Sequence, residues 1–348
     1  MTQTVALTEG PRGDGRDEIR FGTSGSTGGA RHWFRLPHQM EREVELIGSH
    51  LVGPVDHVIN YAPPRHLFGA LFGQWLPRLA DVRVHQAWAD PFAPLSVSPG
   101  ERVLIVCLPM AWDLLRRGWS ALERAGSVVA LHGSAAPPPT ARALVRRAAP
   151  LLRAHEIFGS TETGGIAHRP LAPDGSGADL WQAFPDVSFT RDVDAPAGAA
   201  EELVVHGPRL ARPEAAPRPP ARWATGDLVE FTAPRAFRYV GRSSSVIKVN
   251  GIKVHLAAVE ERLNSCLPQV KCVVLPLTDD ALAGEGYAVF WSGGDSGVDV
   301  ADIRGALRDF PSPSRIVALA DIPRTSAGKP DRKSLLTGLK TPPALSSP

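Results

Sequence analysis

The sequence predicts an α/β protein with a large domain on a parallel-type sheet, followed by a small α+β domain at the C-terminus. Two observations predict this. Apolar β-branched runs alternate with amphipathic stretches through the first half of the chain, and shorter strands and helices alternate after Phe237. Strand–helix–strand order favours parallel strands with helices packed on them. A chain of 348 residues is long enough for two such domains.

The elements of the large domain follow from the spacing of apolar residues. Three stretches have helical spacing: Gln39–Leu51, Trp112–Ala125 and the basic stretch Ala141–Ala154. Short apolar runs between them predict strands at Val58–Tyr61, Val103–Leu108 and Ser127–Leu131. The proline-rich stretch Pro208–Pro220 is predicted to be a loop.

The pattern near the C-terminus predicts a separate domain. Strands are expected at Val246–Val249, Val270–Leu277 and Tyr287–Trp291, and helices near Ala257–Cys266 and Val300–Asp309. The expected limits are a disordered leader at 1–20, a large domain at 21–241, a small domain at 242–341 and a disordered tail at 342–348.

Composition limits the partners and the compartment. A net charge of +2 gives no reason to expect nucleic acid or a membrane surface as a partner. Cys107, Cys266 and Cys272 are an odd number without metal-type spacing, which predicts reduced core cysteines in a cytoplasmic protein. The tryptophans Trp112, Trp119, Trp181 and Trp223 are also expected in the core.

The stretch Phe21–Arg31 has the composition of a phosphate-binding loop. Four glycines and four hydroxyl side chains occupy its eleven residues, and a basic residue closes it. Glycines let backbone N–H groups point inward and form a nest for anions, and a guanidinium suits phosphate geometry. The stretch does not fit the Walker pattern, because no Gly-Lys-Ser/Thr follows at the required spacing.

Five further segments follow in order. Phe158–Gly165 is a glycine-flanked turn with a hydroxyl and a carboxylate, and Trp223–Asp227 is expected to place one acid in a tight turn. Gly241–Lys248 and Asn250–His255 lie where the composition changes. Ile322–Arg332 contains Lys329 in a glycine turn.

Taken with the Phe21–Arg31 stretch, the segments that contain Glu162, Asp227, Arg242 and Lys329 resemble, in order, five motifs of the adenylate-forming superfamily. This superfamily includes acyl-CoA synthetases, aryl-CoA ligases and peptide-synthetase adenylation domains. The resemblance covers nearly the whole chain. It implies that ATP and Mg²⁺ activate a small carboxylic acid as an acyl-AMP. The acyl group then passes to a thiol of CoA or of an acyl carrier protein, while the small domain acts as a mobile lid.

The resemblance also implies roles for individual residues. Phosphates of ATP would be held by Thr23, Ser24, Gly25, Ser26, Thr27, Gly28 and Arg31, the α-phosphate by Thr161, and Mg²⁺ by Glu162. Asp227 and Arg242 would bind the ribose, and Lys329 would bridge the α-phosphate and the acid. Ser244 would be the hinge. The substrate and the thiol would meet His66, Gly133, Ser134, Gly164, Gly251 and Lys253.

The sequence departs from the family pattern in three places. Arg31 stands where relatives usually have lysine, and Ser244 where they have Asp or Lys. Only twenty residues precede Phe21, so the resemblance implies a short form without the usual first subdomain, in which a second copy or a partner covers the acyl site.

Substrate evidence comes from Arg65–Phe68, which lacks the acid that α-amino-acid-activating relatives use. Phe68, Gly69, Ser134, Ala135, Gly164 and Gly165 are expected to line a pocket for an aryl or apolar acid.

Each residue also has a plainer interpretation when taken alone. Asp227 could be a turn carboxylate, Glu162 a helix-capping acid, Lys329 a surface lysine and His66 a pocket wall. Only the ordered set of motifs favours a catalytic role for these residues. The alternative from another class is a non-catalytic nucleotide-binding or interaction protein derived from this family.

Overall fold

The computed structural model describes residues 17–24, 30–172, 179–192, 196, 198–243, 246–249, 252–277, 286–293, 296–325 and 330–340. The chain divides into two compact units. One comprises residues 1–194, 204–225 and 231–238, and the other comprises residues 195–203, 226–230 and 239–348. The expected tail and most of the expected leader lie outside the described residues.

Eight helices and nineteen strands follow one another along the described chain. The helices are α1 (Pro37–Ile47), α2 (Leu67–Ala70), α3 (Leu76–Ala80), α4 (Ala111–Gly118), α5 (Pro139–Ala148), α6 (Leu256–Cys266), α7 (Val300–Ala306) and α8 (Arg332–Lys340). The first ten strands are β1 (Ile19–Ser24), β2 (Ala30–Arg35), β3 (His57–Asn60), β4 (Arg83–His85), β5 (Arg102–Cys107), β6 (Ser127–His132), β7 (Leu152–Ser160), β8 (Gly164–Pro170), β9 (Trp181–Ala183) and β10 (Ser188–Thr190). The others are β11 (Glu201–His206), β12 (Arg212–Pro213), β13 (Trp223–Ala233), β14 (Ala236–Arg242), β15 (Val246–Val249), β16 (Ile252–His255), β17 (Lys271–Leu277), β18 (Gly286–Ser292) and β19 (Arg315–Ala318).

The largest sheet has eleven strands in the order β10-β11-β13-β14-β9-β8-β7-β6-β5-β3-β4. Strands β4, β3, β5, β6 and β7 are parallel, whereas β7–β8, β8–β9 and β9–β14 pair antiparallel. The predicted α/β class is confirmed, with a mixed rather than a purely parallel sheet. The carboxyl ends of β3, β5, β6 and β7 therefore share one sheet edge, which is where open α/β sheets bind ligands.

The packing of α4 and α5 explains why one face of the parallel strands is apolar. Ile105 and Val128 of the strands pack in one buried cluster with Trp112 and Leu144 of the helices. Successive side chains of a strand point to opposite faces, and the alternate residues Leu104 and Val129 are buried as well, as expected for a parallel sheet covered on both faces.

Two predicted helix ends were wrong. The helix predicted at Ala141–Ala154 ends at Ala148, and β7 begins at Leu152. Pro150 is the cause, because the residue before a proline is driven out of the helical region, and Ala149 has an extended ψ of 143°. The helix predicted from Trp112 is α4, which passes into a 3₁₀ turn at Trp119–Ala121.

The glycine-rich stretch begins in β1 and ends in β2 of a separate three-stranded sheet, β1-β2-β12. Strands β1 and β2 pair antiparallel from Ile19↔Arg35 to Ser24↔Ala30. The disordered leader expected through residue 20 was therefore too long, because Ile19 and Arg20 already pair with β2 and Glu18 forms an ion pair with Arg212.

The second unit has its own core. Its three-stranded sheet β17-β18-β19 packs α6 and α7 through Val274, Val289 and Ile303, and packs α8 through Leu335. No helix among the described residues is long and apolar enough to span a membrane. The prediction of core cysteines was correct for Cys107 and Cys272 but wrong for Cys266, the exposed last residue of α6.

We expect acid to destabilise the first unit through its buried histidines. Burial lowers the pKa values of His57, His132, His155 and His168 from 6.5 to about 4. Between pH 6.5 and 4 the unfolded chain therefore binds more protons than the native chain, so the free energy of unfolding falls as the pH falls. Below pH 4 both states are protonated and this dependence levels off. Denaturant unfolding at a series of pH values measures it.

His168 offers a test of this origin, because neither of its ring nitrogens has a hydrogen-bond partner among the described residues. His168→Phe should reduce the proton uptake on unfolding, derived from the pH slope, by about one proton. An unaltered slope in His168→Phe would contradict the explanation.

Candidate active site

The glycine-rich stretch joins the two strands of a hairpin. Thr23 of β1 lies opposite Arg31 of β2, and the Thr23 hydroxyl donates to the Arg31 carbonyl at 3.5 Å. Arg31 is exposed and Ser24 ends β1. Gly25, Ser26, Thr27 and Gly28 lie outside the described residues.

The turn predicted at Phe158–Gly165 is confined to Thr161–Thr163, because Phe158–Ser160 belong to β7 and Gly164 and Gly165 to β8. Thr163 closes it, because its hydroxyl oxygen accepts from the Ser160 N–H at 3.2 Å and its hydroxyl donates to the Gly164 carbonyl at 2.9 Å. The Ala211 N–H donates to the Glu162 carbonyl at 2.8 Å. Thr161 and Glu162 are half-buried, at the same sheet edge as the residues that follow β6.

Gly164 cannot carry a side chain without rearrangement. Its φ is +71°, and a Cβ there would lie 2.5 Å from Oε2 of Glu43. The N–H of the next residue, Gly165, donates to Oε1 of Glu43 at 2.7 Å. The glycine pair that follows the turn is therefore shaped around one carboxylate from α1.

That carboxylate belongs to a buried charge network that the sequence analysis missed. Arg35 Nη1 donates to Glu43 Oε2 at 3.0 Å, and Arg209 Nη1 lies 3.2 Å from Glu43 Oε1. Arg209 also donates two hydrogen bonds to Asp186, at 2.9 and 2.8 Å. Arg35, Glu43 and Arg209 are each at most 1% exposed.

Burial and neighbouring charges shift the two guanidinium groups in opposite directions. Burial lowers the pKa of Arg35, although the carboxylates of Glu43 and Glu162 oppose this. Burial also acts against the charge on Arg209, but Glu43 and Asp186 outweigh it and raise its pKa. A signal for the network existed in the sequence, because Glu43 falls among the apolar residues Met40, Val44 and Ile47 of the predicted helix.

The loop after β6 is held by His132. The Trp112 indole N–H donates to His132 Nδ1 at 3.1 Å, so the ring proton is on Nε2, which donates to the Ala135 carbonyl at 2.8 Å. Ser134, in this loop, is exposed and has a φ of +76°, an unusual value for a residue with a side chain. Such outliers concentrate at functional sites.

Two parts of the predicted acyl pocket lie close together, the Phe68 ring and Gly133. A Cβ at Gly133 would lie 3.3 Å from the Phe68 ring, so α2 and the β6 loop meet there. Gly69 serves packing instead, because its Cβ would lie 2.3 Å from the Pro63 carbonyl oxygen. His66 precedes α2 and is half-buried.

In the second unit, Asp227 and Arg242 form an ion pair of 3.3 Å between Oδ1 and Nε. The prediction that Asp227 sits in a tight turn was wrong, because it lies within strand β13. The Ser243 hydroxyl donates to the Gly226 carbonyl at 3.1 Å.

The remaining predicted residues of the second unit are less defined. Lys253 is in β16, paired with Lys248 of β15. Ser244, Gly251 and Lys329 lie outside the described residues. In the first unit, Trp223 is half-buried rather than in the core, with its ring in edge contact with Trp33 at 5.0 Å between centroids.

No group of three or more acidic, histidine or cysteine side chains that could hold a metal occurs in the part of the chain described. A nucleotide-bound Mg²⁺ does not require one, since it usually takes one or two carboxylates plus substrate phosphates. The half-buried Glu162 carboxyl, on a turn whose backbone is hydrogen-bonded at both ends, fits that donor set.

No protein-family profile matches the chain. It is 32% identical over 274 residues to a 4-coumarate–CoA ligase from Rhodobacter capsulatus, covering 75% of this chain and 61% of the relative. It is 29% identical over 260 residues to a 4-coumarate–CoA ligase from Halorhodospira halophila, covering 74% and 59%. Tyrocidine synthase 3 from Brevibacillus parabrevis is 32% identical over 158 residues, which cover 40% of this chain and 2% of the synthase. The chain thus spans about 60% of the length of the two ligases.

Solved structures show the same fold. ATP-bound MatB from Rhodopseudomonas palustris aligns over 94% of this chain and 69% of its own, with a TM-score of 0.73 and 18% identity. MenE from Bacillus subtilis, in complex with the acyl-adenylate OSB-AMP, aligns over 91% and 68% with a TM-score of 0.71 and 17% identity. These alignments confirm the α/β domain with a smaller C-terminal α+β region.

The geometry at Gly164 predicts a large effect from one methyl group. Gly164→Ala should lower the free energy of unfolding by about 1–3 kcal/mol or more, because the residue has positive φ and meets Glu43. Gly48→Ala is the control, since its φ of −58° is helical and nothing lies within 4 Å of the added Cβ. Equal stability of the two variants in urea unfolding would be inconsistent with this geometry.

Proposed function

We propose that the chain belongs to the adenylate-forming superfamily and is an ATP-dependent ligase that activates an aryl or acyl carboxylate and transfers it to a thiol. The observation that carries the proposal is the full ordered set of five motifs on a chain with coumarate–CoA ligase relatives. Lys329 would neutralise charge that builds up on the reacting α-phosphate, and Glu162 would hold Mg²⁺. A protein that only binds nucleotide does not need charge stabilised at the α-phosphorus.

The proposed reaction has two steps. A carboxylate oxygen attacks the α-phosphorus of ATP, and the bond to the β-phosphate oxygen breaks to release pyrophosphate. A thiol sulfur then attacks the acyl carbon, its proton is lost, and AMP leaves with the bridging oxygen. The acceptor is the phosphopantetheine thiol of a carrier protein or CoA.

In the first unit, the β1–β2 hairpin and the β7–β8 turn would bind the phosphates of ATP. Thr23 and Arg31 flank the glycine-rich stretch, and Thr161 would donate its hydroxyl to the α-phosphate. Mg²⁺ would be held by Glu162 and would neutralise charge on the phosphates. Because the turn is hydrogen-bonded on both sides, these side chains would reorganise little during reaction.

In the second unit, Asp227 and Arg242 would bind the ribose, and Lys329 would neutralise charge at the α-phosphate. Gly251 and Lys253 would serve the thiol-transfer step after movement at Ser244. This assignment follows the family motifs residue by residue.

The acid is proposed to be aryl or apolar. The segment from Arg65 to Phe68 offers no carboxylate for an α-amino group, and Phe68 packs against Gly133 of the β6 loop. The name of the two ligase relatives, 4-coumarate–CoA ligase, agrees with an aryl acid. Gly133, Ser134 and His66 would contribute to the wall of the site.

ATP-dependent hydroxamate formation over a panel of aryl, aliphatic and amino acids tests the proposal. Hydroxylamine intercepts an acyl-AMP whatever the natural thiol acceptor is. We expect aryl or apolar acids to give product and α-amino acids to give little. The alternative, a non-catalytic nucleotide-binding or interaction protein, predicts nucleotide binding without product from any acid.

Asp227→Ala should weaken ATP binding about 10- to 100-fold, which is the effect of losing one charge-assisted hydrogen bond. Binding of the acid should be nearly unchanged. Asp309→Ala is a matched control, since Asp309 also forms a 3.3 Å ion pair with an arginine, Arg262, in the same unit. Calorimetry measures both affinities. Equal ATP affinity in the two variants would remove Asp227 from the nucleotide site.

Lys329→Ala should separate the two steps. Pyrophosphate exchange should slow about 10²–10³-fold, the effect of losing one preorganised charge-stabilising group. Thiol acylation from supplied acyl-AMP should be nearly unaffected, whereas Lys253→Ala should show the opposite pattern. Equal losses in both steps would argue against a rotating small domain.

A further inference from the structure

The buried charge network of Arg35, Glu43 and Arg209 has a desolvation cost that packing alone does not explain. Arg35 and Glu43 are 0% and 1% exposed, and burying such a pair is often no more stabilising than an apolar replacement. The network also contacts the backbone of the β7–β8 turn and of β8.

Its contacts fall on the two ends of one turn. Arg35 Nε and Nη2 both donate to the Thr161 carbonyl, at 3.4 and 3.3 Å, which fixes the start of the turn. Glu43 Oε1 accepts from the Gly165 N–H at 2.7 Å, which fixes its end. Arg35 Nη1 joins the two side chains by donating to Glu43 Oε2 at 3.0 Å.

The middle of the turn is held from the same side. The Ala211 N–H donates to the Glu162 carbonyl, and Gln39 Nε2 donates to the carbonyls of Pro208 and Leu210 at 3.0 and 3.1 Å. Gln39 and Glu43 are one helical turn apart on α1, so one buried helix face supports both the β7–β8 turn and the segment that touches it.

We propose that Arg35 and Glu43 are positioning residues that hold Thr161 and Glu162 in place for the Mg²⁺–nucleotide, an inference that rests on the proposed function. Neither side chain touches substrate. Both act through the turn backbone, because a guanidinium fork can hold a carbonyl and a carboxylate at once in a fixed geometry.

Arg35→Lys and Glu43→Asp test this with the charges retained. Lysine lacks the planar guanidinium that donates to the Thr161 carbonyl and the Glu43 carboxylate at once. Aspartate is one methylene too short to reach the Gly165 N–H. In pyrophosphate exchange, the Mg²⁺ concentration for half-maximal rate should rise about tenfold in each variant, the scale for losing a group that orients a metal ligand. The KM for the acid should stay within about twofold, since neither variant touches the acid.

Arg42→Lys is the matched control. Arg42 is the neighbour of Glu43 on α1, its side chain is 56% exposed, and it reaches Asp186 at 3.4 Å without contacting the turn. Its Mg²⁺ dependence should equal that of the wild type. A merely structural role of Arg35 and Glu43 would reduce the number of active molecules at an unchanged Mg²⁺ midpoint, and that result would overturn the proposal.

Hydrogen exchange at the Gly165 amide is a readout that does not require enzymatic activity. Because it uses Glu43→Asp, it also tests the proposal if Arg35→Lys does not fold. In Glu43→Asp this amide should exchange at least about tenfold faster than in Arg42→Lys, while amides of β5 remain protected. Unchanged exchange would overturn the positioning role. If the wild type makes no acyl-AMP from any acid while Gly165 exchange does accelerate, the proposed function fails and the support of the turn by Glu43 stands.

Discussion

The ion pair between Arg35 and Glu43 is the interaction on which the rest of the first unit depends. It connects the last residue of β2 with α1, and its other hydrogen bonds and ion pairs among the described residues go to Thr161, Gly165 and Arg209. Removing Glu43 would leave the buried Arg35 guanidinium uncompensated, at about 3–5 kcal/mol. The hairpin with the glycine-rich stretch and the turn with Glu162 are thus parts of one supported structure.

Sheet topology adds a second constraint. Because β3, β5, β6 and β7 are parallel, the segments that follow them lie along one edge, and those segments include His66, Ser134 and Thr161. His132 then fixes the β6 loop through a neutral ring, with Trp112 on one nitrogen and the Ala135 carbonyl on the other. Local sequence motifs far apart in the chain are brought together by strand direction alone.

Sequence patterns predicted the α/β class, the β7–β8 turn and most helices, because apolar spacing and glycine positions are local signals. They did not predict that Asp227 lies within β13, since strand pairing depends on partners distant in sequence. Pro150 is a local signal in the sequence that ends the helix after Ala141. The partners of Glu43 could not be inferred, because Arg35, Gly165 and Arg209 meet it only through the tertiary fold.

The central claim, that this chain makes an acyl-AMP, is tested most directly by isotope transfer. The acid giving most hydroxamate is supplied with ¹⁸O in its carboxylate, together with ATP, Mg²⁺ and a thiol acceptor, and the AMP is analysed by mass spectrometry. If the carboxylate attacks the α-phosphorus and the thiol later attacks the acyl carbon, one ¹⁸O atom appears in AMP. Unlabelled AMP, or label in inorganic phosphate instead, would contradict the account.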